Sequence, residues 1–195
     1  MSINEAGKPA FIDINEKSWM WGVLITDKDR VSTTGICNFP SHMGSFNYGY
    51  ASVGAWRLIN KKLFAAIPES DVRRGWFLDA ECNSVGLSKK QLSYVQGSAK
   101  CPPYTQVKYA AMGDEMGTDN NACDIPLMRI EEMYYIMIEA QAMKGDAAGA
   151  VELLNKFVNA YRDTEYLCEA TTKEEVQEAV WNQRRIEFWG EGLSW

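Results

Sequence analysis

Two amphipathic segments that meet at a short Gly-Asp link constrain the fold of this chain more than any other feature. Gly145 suits the left-handed position that ends a helix, and Asp146 is a good N-cap for the next helix. Two helices of about four turns each, joined by so short a link, must lie antiparallel. Apolar spacing predicts a packed stripe on each helix, made of Ile130, Met133, Tyr134, Met137 and Gln141 on the first and of Ala147, Ala150, Val151, Leu154, Val158 and Tyr161 on the second.

A third helix is predicted after this hairpin. Thr171 or Thr172, with Glu174 or Glu175 three residues later, makes a capping-box pattern. The apolar face of this helix consists of Val176, Ala179, Val180, Ile186 and Trp189. The hairpin is close to a tetratricopeptide repeat unit in size, so we predict a mainly α fold of tetratricopeptide-like helical repeats. A repeat array needs an antiparallel partner for the third helix, and the chain ends at Trp195 before one can form, so we expect a fragment of a longer protein.

The part of the chain before the hairpin is rich in loops. The predicted elements there are short strands at 11–14 and 104–110, a buried strand or core-crossing segment at 19–25, and a short helix near 58–67. Residues 26–55 interleave Ser, Thr, Gly and Asn with aromatic residues, a composition typical of surface loops that carry function. We therefore expect one continuous domain with a loop-rich ligand-binding part, residues 1–124, and a tetratricopeptide-like helical part, residues 125–195.

Composition and charge exclude several classes of protein. With 195 residues, of which 46% are apolar and 24% charged, the chain can bury a sizeable core. A net charge of −6 argues against nucleic-acid binding, which depends on clustered Lys and Arg. The apolar runs are too short to span a bilayer, and no signal peptide is visible at the N-terminus.

The cysteines and the single histidine argue against a metal site. Five cysteines occur with wide spacing and without a C-x-x-C pair, and His42 is the only histidine of the sequence. We therefore expect no metal and no cofactor, and we interpret the cysteines as small core residues. A disulfide among Cys82, Cys101 and Cys123 stays open as an alternative, because these three lie in one irregular region.

Three blocks of the sequence resemble the SusD/RagB family, the surface glycan-binding lipoproteins of Gram-negative bacteria that forage for glycans. The blocks are residues 124–134, 139–155 and 183–195. Shorter similarities at 48–54, 58–63 and 71–74 extend the resemblance over most of the chain. The family signature that resembles the last block continues into a segment that is absent here.

The resemblance implies a mainly helical, tetratricopeptide-like protein with a loop-rich ligand-binding part. Family members are much longer than this chain, carry a lipoprotein signal and an anchoring cysteine, and form the lid on a TonB-dependent outer-membrane transporter. The resemblance therefore implies a middle-to-C-terminal fragment of a protein that is exposed on the cell surface at the outer membrane. The implied partners are an oligosaccharide and a SusC-like TonB-dependent transporter, with membrane association only through the lipid anchor of the parent protein.

Sugar binding needs flat aromatic faces for the C–H face of the sugar and polar groups for its hydroxyls. The loop at 39–50 supplies both, and its candidate glycan-binding residues are His42, Phe46, Asn47 and Tyr48, with Trp19 or Trp21 as a further platform. Both tryptophans lie in an apolar run, so burial in the core is the favoured interpretation for them. For Phe46 and Tyr48, core and binding interpretations both remain open.

The charged residues of the helical part favour a structural role. Glu187 and Glu191 lie four residues apart on one helix and have Arg184 and Arg185 as local partners, which indicates ion pairs and helix-end hydrogen bonds that tie the repeats together. At the start of the first hairpin helix, Arg129 is followed by Glu131 and Glu132, whose carboxylates favour the helix dipole. We expect Arg129, Glu132, Arg184, Arg185, Glu187 and Glu191 to form a structural signature.

We expect a non-catalytic glycan-binding protein, with a helical-repeat scaffold for a protein partner and a glycoside hydrolase as alternatives. Neither a G-x-S-x-G nucleophile motif nor a glycine-rich phosphate loop occurs in the sequence. A hydrolase would depend on paired carboxylates such as Asp79 and Glu81. A scaffold would expose an apolar groove between helices 128–143 and 147–161 and would bury the aromatic residues at 39–50. Missing partner helices should also expose apolar surface, so we expect self-association near residues 176–195.

Overall fold

The protein folds into a mainly α structure, seen here in a computed structural model that describes residues 3–26, 28–29, 39–47 and 53–193. Its helices are α1 (Ile3–Ala6), α2 (Phe39–Met43), α3 (Lys61–Ala65), α4 (Lys89–Ser93), α5 (Ile130–Met143), α6 (Ala147–Tyr161) and α7 (Lys173–Glu187), and its strands are β1 (Trp19–Val23) and β2 (Ile125–Arg129). Short 3₁₀ turns occur at Val72–Trp76 and Met112–Asp114, and a π-helical turn at Tyr94–Ser98 follows α4. Within the described ranges, none of the helices is long and apolar enough to cross a membrane.

The antiparallel helix hairpin is confirmed as α5 and α6. Gly145 adopts a φ of +96°, which suits glycine, and the Asp146 carboxylate accepts a hydrogen bond of 2.9 Å from the backbone N–H of Gly149. The third helix is confirmed as α7, which begins with a capping box between Thr172 and Glu175. The three helices share a core of Tyr135, Ile138, Ala142, Ala150, Leu154, Phe157, Val158, Val176, Val180 and Phe188.

The packed stripe predicted for α5 is wrong, because the buried residues lie one position later in the sequence and therefore on a neighbouring face of the helix. Its buried residues are Glu131, Tyr135, Ile138 and Ala142, whereas Met137, which the prediction placed inside, is 47% exposed. Apolar side chains surround most of α5, so their spacing does not select one face, and the packing against α6 and α7 selects it instead. On α6 the predicted stripe holds for Ala150, Leu154 and Val158, but Phe157 is buried as well and Tyr161 is 40% exposed.

The strands form a two-stranded antiparallel ribbon that is less buried than the sequence suggests. Trp19 pairs with Arg129 and Val23 pairs with Ile125, with two irregularities between these ends. The predicted buried segment at 19–25 is wrong for most of its length, because Met20, Trp21 and Leu24 are 52%, 63% and 59% exposed. A ribbon of two strands has little sheet to cover its outer face, so apolar residues in it need not be buried.

The predicted strand at 104–110 is an extended segment that forms isolated bridges rather than a regular sheet. Within it, Thr105 bridges to Leu58, Gln106 to Phe77 and Tyr109 to Ala10. The predicted strand at 11–14 is also absent, since Phe11 adopts a φ of +67°. The short helix is confirmed as α3, and Asn60 caps it by accepting a hydrogen bond from the N–H of Lys62. The segment at 104–110 therefore links three separate parts of the loop-rich half.

Helix α7 is shared between the two halves of the molecule. Val176 and Val180 face α5 and α6, while Ile186 packs with Phe64, Ile67, Trp76 and Phe77 and so joins the core of the loop-rich half. In addition, Phe188 closes the core of the helical half and Trp189 contacts Phe77 edge to face at 5.3 Å between ring centroids. The C-terminal end of α7 is thus the point where both halves meet.

Candidate functional site

A cluster of eight charged side chains lies buried where the two halves meet. Its members, none of whose side chains is more than 6% exposed, are Asp71, Arg73, Lys108, Arg129, Glu131, Arg162, Glu187 and Glu191. We call this set the buried ionic cluster. It contains as many cations as anions, so the burial of each charge is compensated within the cluster.

Glu187 lies at the centre of the buried ionic cluster. Its carboxylate accepts hydrogen bonds from Arg162 at 2.7 and 2.9 Å, from Arg129 at 3.1 Å and from Arg73 at 3.3 Å. Burial alone would raise the pKa of Glu187, but the guanidinium groups, those of Arg162 and Arg129 above all, outweigh burial and hold this pKa well below its usual value. Glu187 therefore stays ionised and binds segments that are far apart in the chain.

Lys108 and Glu191 complete the buried ionic cluster at the end of α7. The Lys108 ammonium donates to the backbone oxygen of Glu187 at 2.8 Å and to the Glu191 carboxylate, and it lies 4.5 Å from the ring centroid of Trp76. Burial lowers the pKa of Lys108 to about 8, although Glu191 acts in the opposite direction. Arg129 binds the two carboxylate oxygens of Glu191 at 2.8 and 2.9 Å. These contacts hold the chain beyond α7 against the loop-rich half.

The ion-pair partners of Glu187 and Glu191 differ from those predicted. The local pairing with Arg184 and Arg185 is wrong, because both carboxylates point into the core while the two arginines remain near the surface. Arg184 instead lies 3.3 Å from Glu132 of α5, and the guanidinium of Arg185 lies 4.4 Å from the ring centroid of Trp181.

Two of the four candidate residues of the loop at 39–50 are not available to a ligand. Phe46 is 1% and Asn47 5% exposed, and the Asn47 amide donates to the side-chain oxygen of Asn121 at 2.5 Å, so both belong to the core rather than to an open binding surface. Local composition made Asn47 a binding candidate and left both interpretations open for Phe46, because composition does not show which side of a loop packs. His42 is exposed at the end of α2. Tyr48 lies outside the described residues.

The two tryptophans of the ribbon occupy different environments. Trp19 is half-buried and packs against Phe11, with ring centroids 6.1 Å apart. Trp21 is 63% exposed, so the favoured interpretation of core burial is wrong for it. The exposed side chains beside it along the strand, such as Met20 and Leu24, are apolar. The ribbon thus offers an aromatic face but few polar groups with which a sugar hydroxyl could pair.

Asp79 and Glu81 do not face each other across a cleft. Asp79 uses one carboxylate oxygen to accept the backbone N–H of Glu81 at 2.9 Å and that of Asn83 at 2.7 Å. This arrangement is typical of an Asp side chain that holds a turn. The pair therefore provides no support for the acid and nucleophile of a glycoside hydrolase.

The described cysteines are free thiols, so the alternative of a disulfide among Cys82, Cys101 and Cys123 is not formed in this structure. Burial raises the pKa of Cys101 to about 12 and that of Cys123 to about 11. Because the thiolate is the reactive form, both groups are poor nucleophiles at neutral pH.

A groove between α5 and α7 combines an exposed aromatic ring with several polar side chains. Its volume is about 220 Å³, and its lining residues are Glu139, Gln177, Val180, Trp181, Arg184, Arg185 and Leu193. Trp181 is 45% exposed, and the Glu139 carboxylate accepts a hydrogen bond of 3.2 Å from the Gln177 amide. We call this feature the α5–α7 groove. The sequence held a signal for it, since Trp181 falls outside the apolar stripe of α7 and precedes two consecutive arginines.

A second groove, between α5 and α6, is lined by more aromatic residues and fewer free polar groups. It has a volume of about 160 Å³ and is lined in part by Ile130, Tyr134, Phe157 and Tyr161. Tyr134 and Phe157 stack on each other with ring centroids 4.7 Å apart. Three charged residues line this α5–α6 groove: Glu131 and Arg162 are already paired with each other at 2.9 Å, and Lys17 is exposed. This groove therefore presents an aromatic surface bordered by charged residues.

Comparisons with known proteins agree on one family. The family model described as the SusD family matches residues 82–195, which is more than half of the chain. The fold is similar to that of a SusD-like carbohydrate-binding protein from Bacteroides vulgatus ATCC 8482, with a TM-score of 0.68 and 22% identity over 100% of this chain and 36% of that chain. It is also similar to a SusD superfamily protein from Bacteroides thetaiotaomicron VPI-5482, with a TM-score of 0.67 and 19% identity over 100% of this chain and 40% of that chain.

The chain therefore spans well under half of the length of these solved structures. No curated protein matches the chain significantly.

Proposed function

Because the chain belongs to the SusD family, we propose that it binds oligosaccharides without transforming them. The structural observation that carries this proposal is the α5–α7 groove, in which the exposed Trp181 lies among planar polar side chains. The similarity in fold to a solved SusD-like carbohydrate-binding protein supports the same assignment.

The α5–α7 groove meets both chemical needs of sugar binding. The indole of Trp181 provides an apolar face for the C–H groups of a sugar ring. Glu139 accepts, Arg185 donates and Gln177 does both, so that sugar hydroxyls can be paired rather than left unsatisfied, which would cost about 1–3 kcal/mol each. Its volume of about 220 Å³ is smaller than typical ligand pockets of about 300–1,000 Å³, so it would hold part of an oligosaccharide and leave the rest outside.

The same groove supports binding rather than hydrolysis. Glycoside hydrolysis generally uses two carboxyl groups on either side of the scissile bond. Among the residues that line the α5–α7 groove, Glu139 is the single carboxylate, and it is hydrogen-bonded to Gln177. The carboxylates of the buried ionic cluster are buried and paired with cations, so they cannot approach a substrate.

The experiment that tests this proposal is isothermal titration of the chain with a panel of neutral and acidic oligosaccharides. We expect at least one glycan to bind, and Trp181→Ala to weaken that binding about tenfold, because stacking on an aromatic ring contributes about 1 kcal/mol beyond buried area. Tyr161→Ala is the matched control, since it also removes one exposed aromatic ring of the helical half but lies outside the α5–α7 groove. An equal loss of binding with Tyr161→Ala would contradict a site at this groove, and absence of binding to every glycan would contradict the proposal.

The remaining candidates of the loop-rich half form part of the same proposal. We propose that His42, Trp19, Trp21 and Tyr48 contribute a further section of the glycan site in the whole protein. The exposure of His42 and Trp21 supports this. If it is correct, His42→Ala in the whole protein will weaken the binding of long oligosaccharides more than that of short ones, whereas an equal effect on both would argue against it.

We propose further that the whole protein acts at the cell surface as the lid of a TonB-dependent glycan transporter. Membership in the SusD family supports this, and the α5–α6 groove, with its aromatic residues, offers a surface for a protein partner. A photo-crosslinking residue at Tyr161 of the whole protein should capture a TonB-dependent outer-membrane protein in intact cells. The same residue at exposed Glu174 is the control, and equal capture from both positions would contradict a contact at this groove.

A further inference from the structure

Arg185 is a surface cation with no carboxylate partner among the described residues. Its guanidinium lies 4.4 Å from the ring centroid of Trp181, and both residues line the α5–α7 groove. Contact with an indole face orients a guanidinium and leaves its N–H groups free to donate, because such contact uses the plane of the group rather than its edge. Arg185 is therefore held in place and retains its capacity to bind an anion.

The other charged residues that line the α5–α7 groove, Arg184 and Glu139, each have a partner within the protein. Arg184 makes one contact of 3.3 Å with Glu132, which leaves part of its guanidinium available. Glu139, the carboxylate that lines the groove, accepts a hydrogen bond from Gln177. The buried arginines of the molecule, in contrast, are bound to carboxylates at 2.6–3.3 Å, as for Arg73 with Asp71 and Glu187. Arg185 thus differs from the buried arginines, because it has no carboxylate partner in the part of the chain that the structure describes.

We propose that the α5–α7 groove binds acidic oligosaccharides, with the carboxylate of a uronic acid residue held by Arg185 and Arg184 and its ring placed against the part of the Trp181 indole that Arg185 does not cover. This inference rests on the proposed glycan-binding function and specifies its ligand class. A guanidinium matches a carboxylate in a bidentate geometry, and such charge-assisted hydrogen bonds are about twice as strong as neutral ones. Neutral sugars gain no such contact.

The net charge of the chain makes this local arrangement necessary. At −6 the protein as a whole repels anions, so an acidic glycan must be attracted by cations that lie close to it. The groove supplies two such cations, Arg184 and Arg185, against one carboxylate, Glu139. Their attraction is screened by salt over about 8–10 Å, so binding of the acidic ligand should weaken as ionic strength rises.

The test compares a galacturonic acid oligosaccharide with the same oligosaccharide after reduction of its carboxyl groups to alcohols. We expect the acidic form to bind about tenfold more tightly by isothermal titration, in line with one charge-assisted contact. Arg185→Gln should lower the affinity for the acidic form to about that for the reduced form, while the affinity for the reduced form falls by a smaller factor through the loss of one hydroxyl contact. Arg185→Lys keeps the charge but not the bidentate geometry, so it should restore only part of the preference.

Each outcome of this test is informative. Equal binding of the acidic and reduced forms, unaffected by Arg185→Gln, would overturn the inference while the proposed function stands. Binding of neither form and of no other glycan would overturn both. A poly-glutamate peptide that binds as tightly as the acidic oligosaccharide, and in an Arg185-dependent manner, would show a general anion site and would also overturn the assignment to saccharides. Circular dichroism of each variant confirms that it is folded.

Discussion

Glu187 is the residue through which most of the buried ionic cluster is connected. Three guanidinium groups donate to its carboxylate, and Lys108 and Arg129 donate to its backbone oxygen. Replacing a buried charge network with apolar residues is often tolerated, but removing one member leaves the others uncompensated. The fold therefore depends strongly on this one side chain, which reaches no ligand.

Glu187→Gln should destabilise the protein by about 3–5 kcal/mol, because it leaves buried guanidinium groups without their anion. Urea unfolding followed by circular dichroism measures this. Glu178→Gln is the control, since it makes the same chemical change at an exposed position of α7 and should cost less than about 0.5 kcal/mol. A loss below about 1 kcal/mol for Glu187→Gln would contradict a central role for this carboxylate.

The stability of the protein should rise between about pH 8 and pH 10.5 because of Lys108. Its pKa in the folded state is lowered to about 8, against an ordinary value of 10.5. Over this interval the unfolded chain binds the proton and the folded protein does not, so the free energy of unfolding increases with pH, by up to about 3 kcal/mol. The negative charges of Glu191 and Glu187 reduce the lowering of the Lys108 pKa, whereas the positive charge of Arg129 adds to it.

Urea unfolding at a series of pH values measures this dependence. Lys108→Met lacks the titrating group. From pH 8 to pH 10.5 the free energy of unfolding of the original protein should therefore rise relative to that of this variant. A constant difference over this range would show that Lys108 keeps its proton.

At the scale of elements, the helices follow from local signals and most of the remaining structure does not. A helix cap or an apolar stripe is formed by residues within a few positions of one another in the sequence, so α6 and α7 could be placed from the sequence. The buried face of α5 could not be predicted in this way, because it includes Glu131, whose partner Arg162 is 31 positions away. In the loop-rich half, single bridges between distant segments replace regular strands, and no local periodicity reports them.

The turn between α5 and α6 provides a test at this scale. Gly145 has a φ of +96° and open space around its Cα, so Gly145→Ala should destabilise the protein by about 1–2 kcal/mol through backbone strain alone. Gly97→Ala is a matched control, because Gly97 also has open space but lies outside the left-handed region. Differential scanning calorimetry should show a lower Tm for the first variant only, and equal Tm values would contradict the role of the left-handed turn.

At the scale of the whole molecule, α7 and the buried ionic cluster join the loop-rich and helical halves. The ion pair of Arg73 with Glu187 connects residues 114 positions apart, and such a contact leaves no trace in local sequence. The same limit applies to the candidate site. The residue types of the α5–α7 groove are visible in the sequence around Trp181, but the concave surface exists only once α5 packs on α7. The boundary between the halves at residue 124 stays a prediction.

The most direct test of glycan binding at the α5–α7 groove is the response of the indole N–H signals to a bound glycan in a nitrogen-correlated NMR titration. The chain has 7 tryptophans, and Trp76, which is buried and donates to the backbone oxygen of Ala6 at 2.7 Å, serves as an internal reference. With the tightest-binding oligosaccharide of the panel, we expect the Trp181 signal, assigned by its loss in Trp181→Phe, to shift most and the Trp76 signal not to move. A Trp181 signal that stays in place while that of Trp21 or Trp19 shifts would contradict binding at the α5–α7 groove.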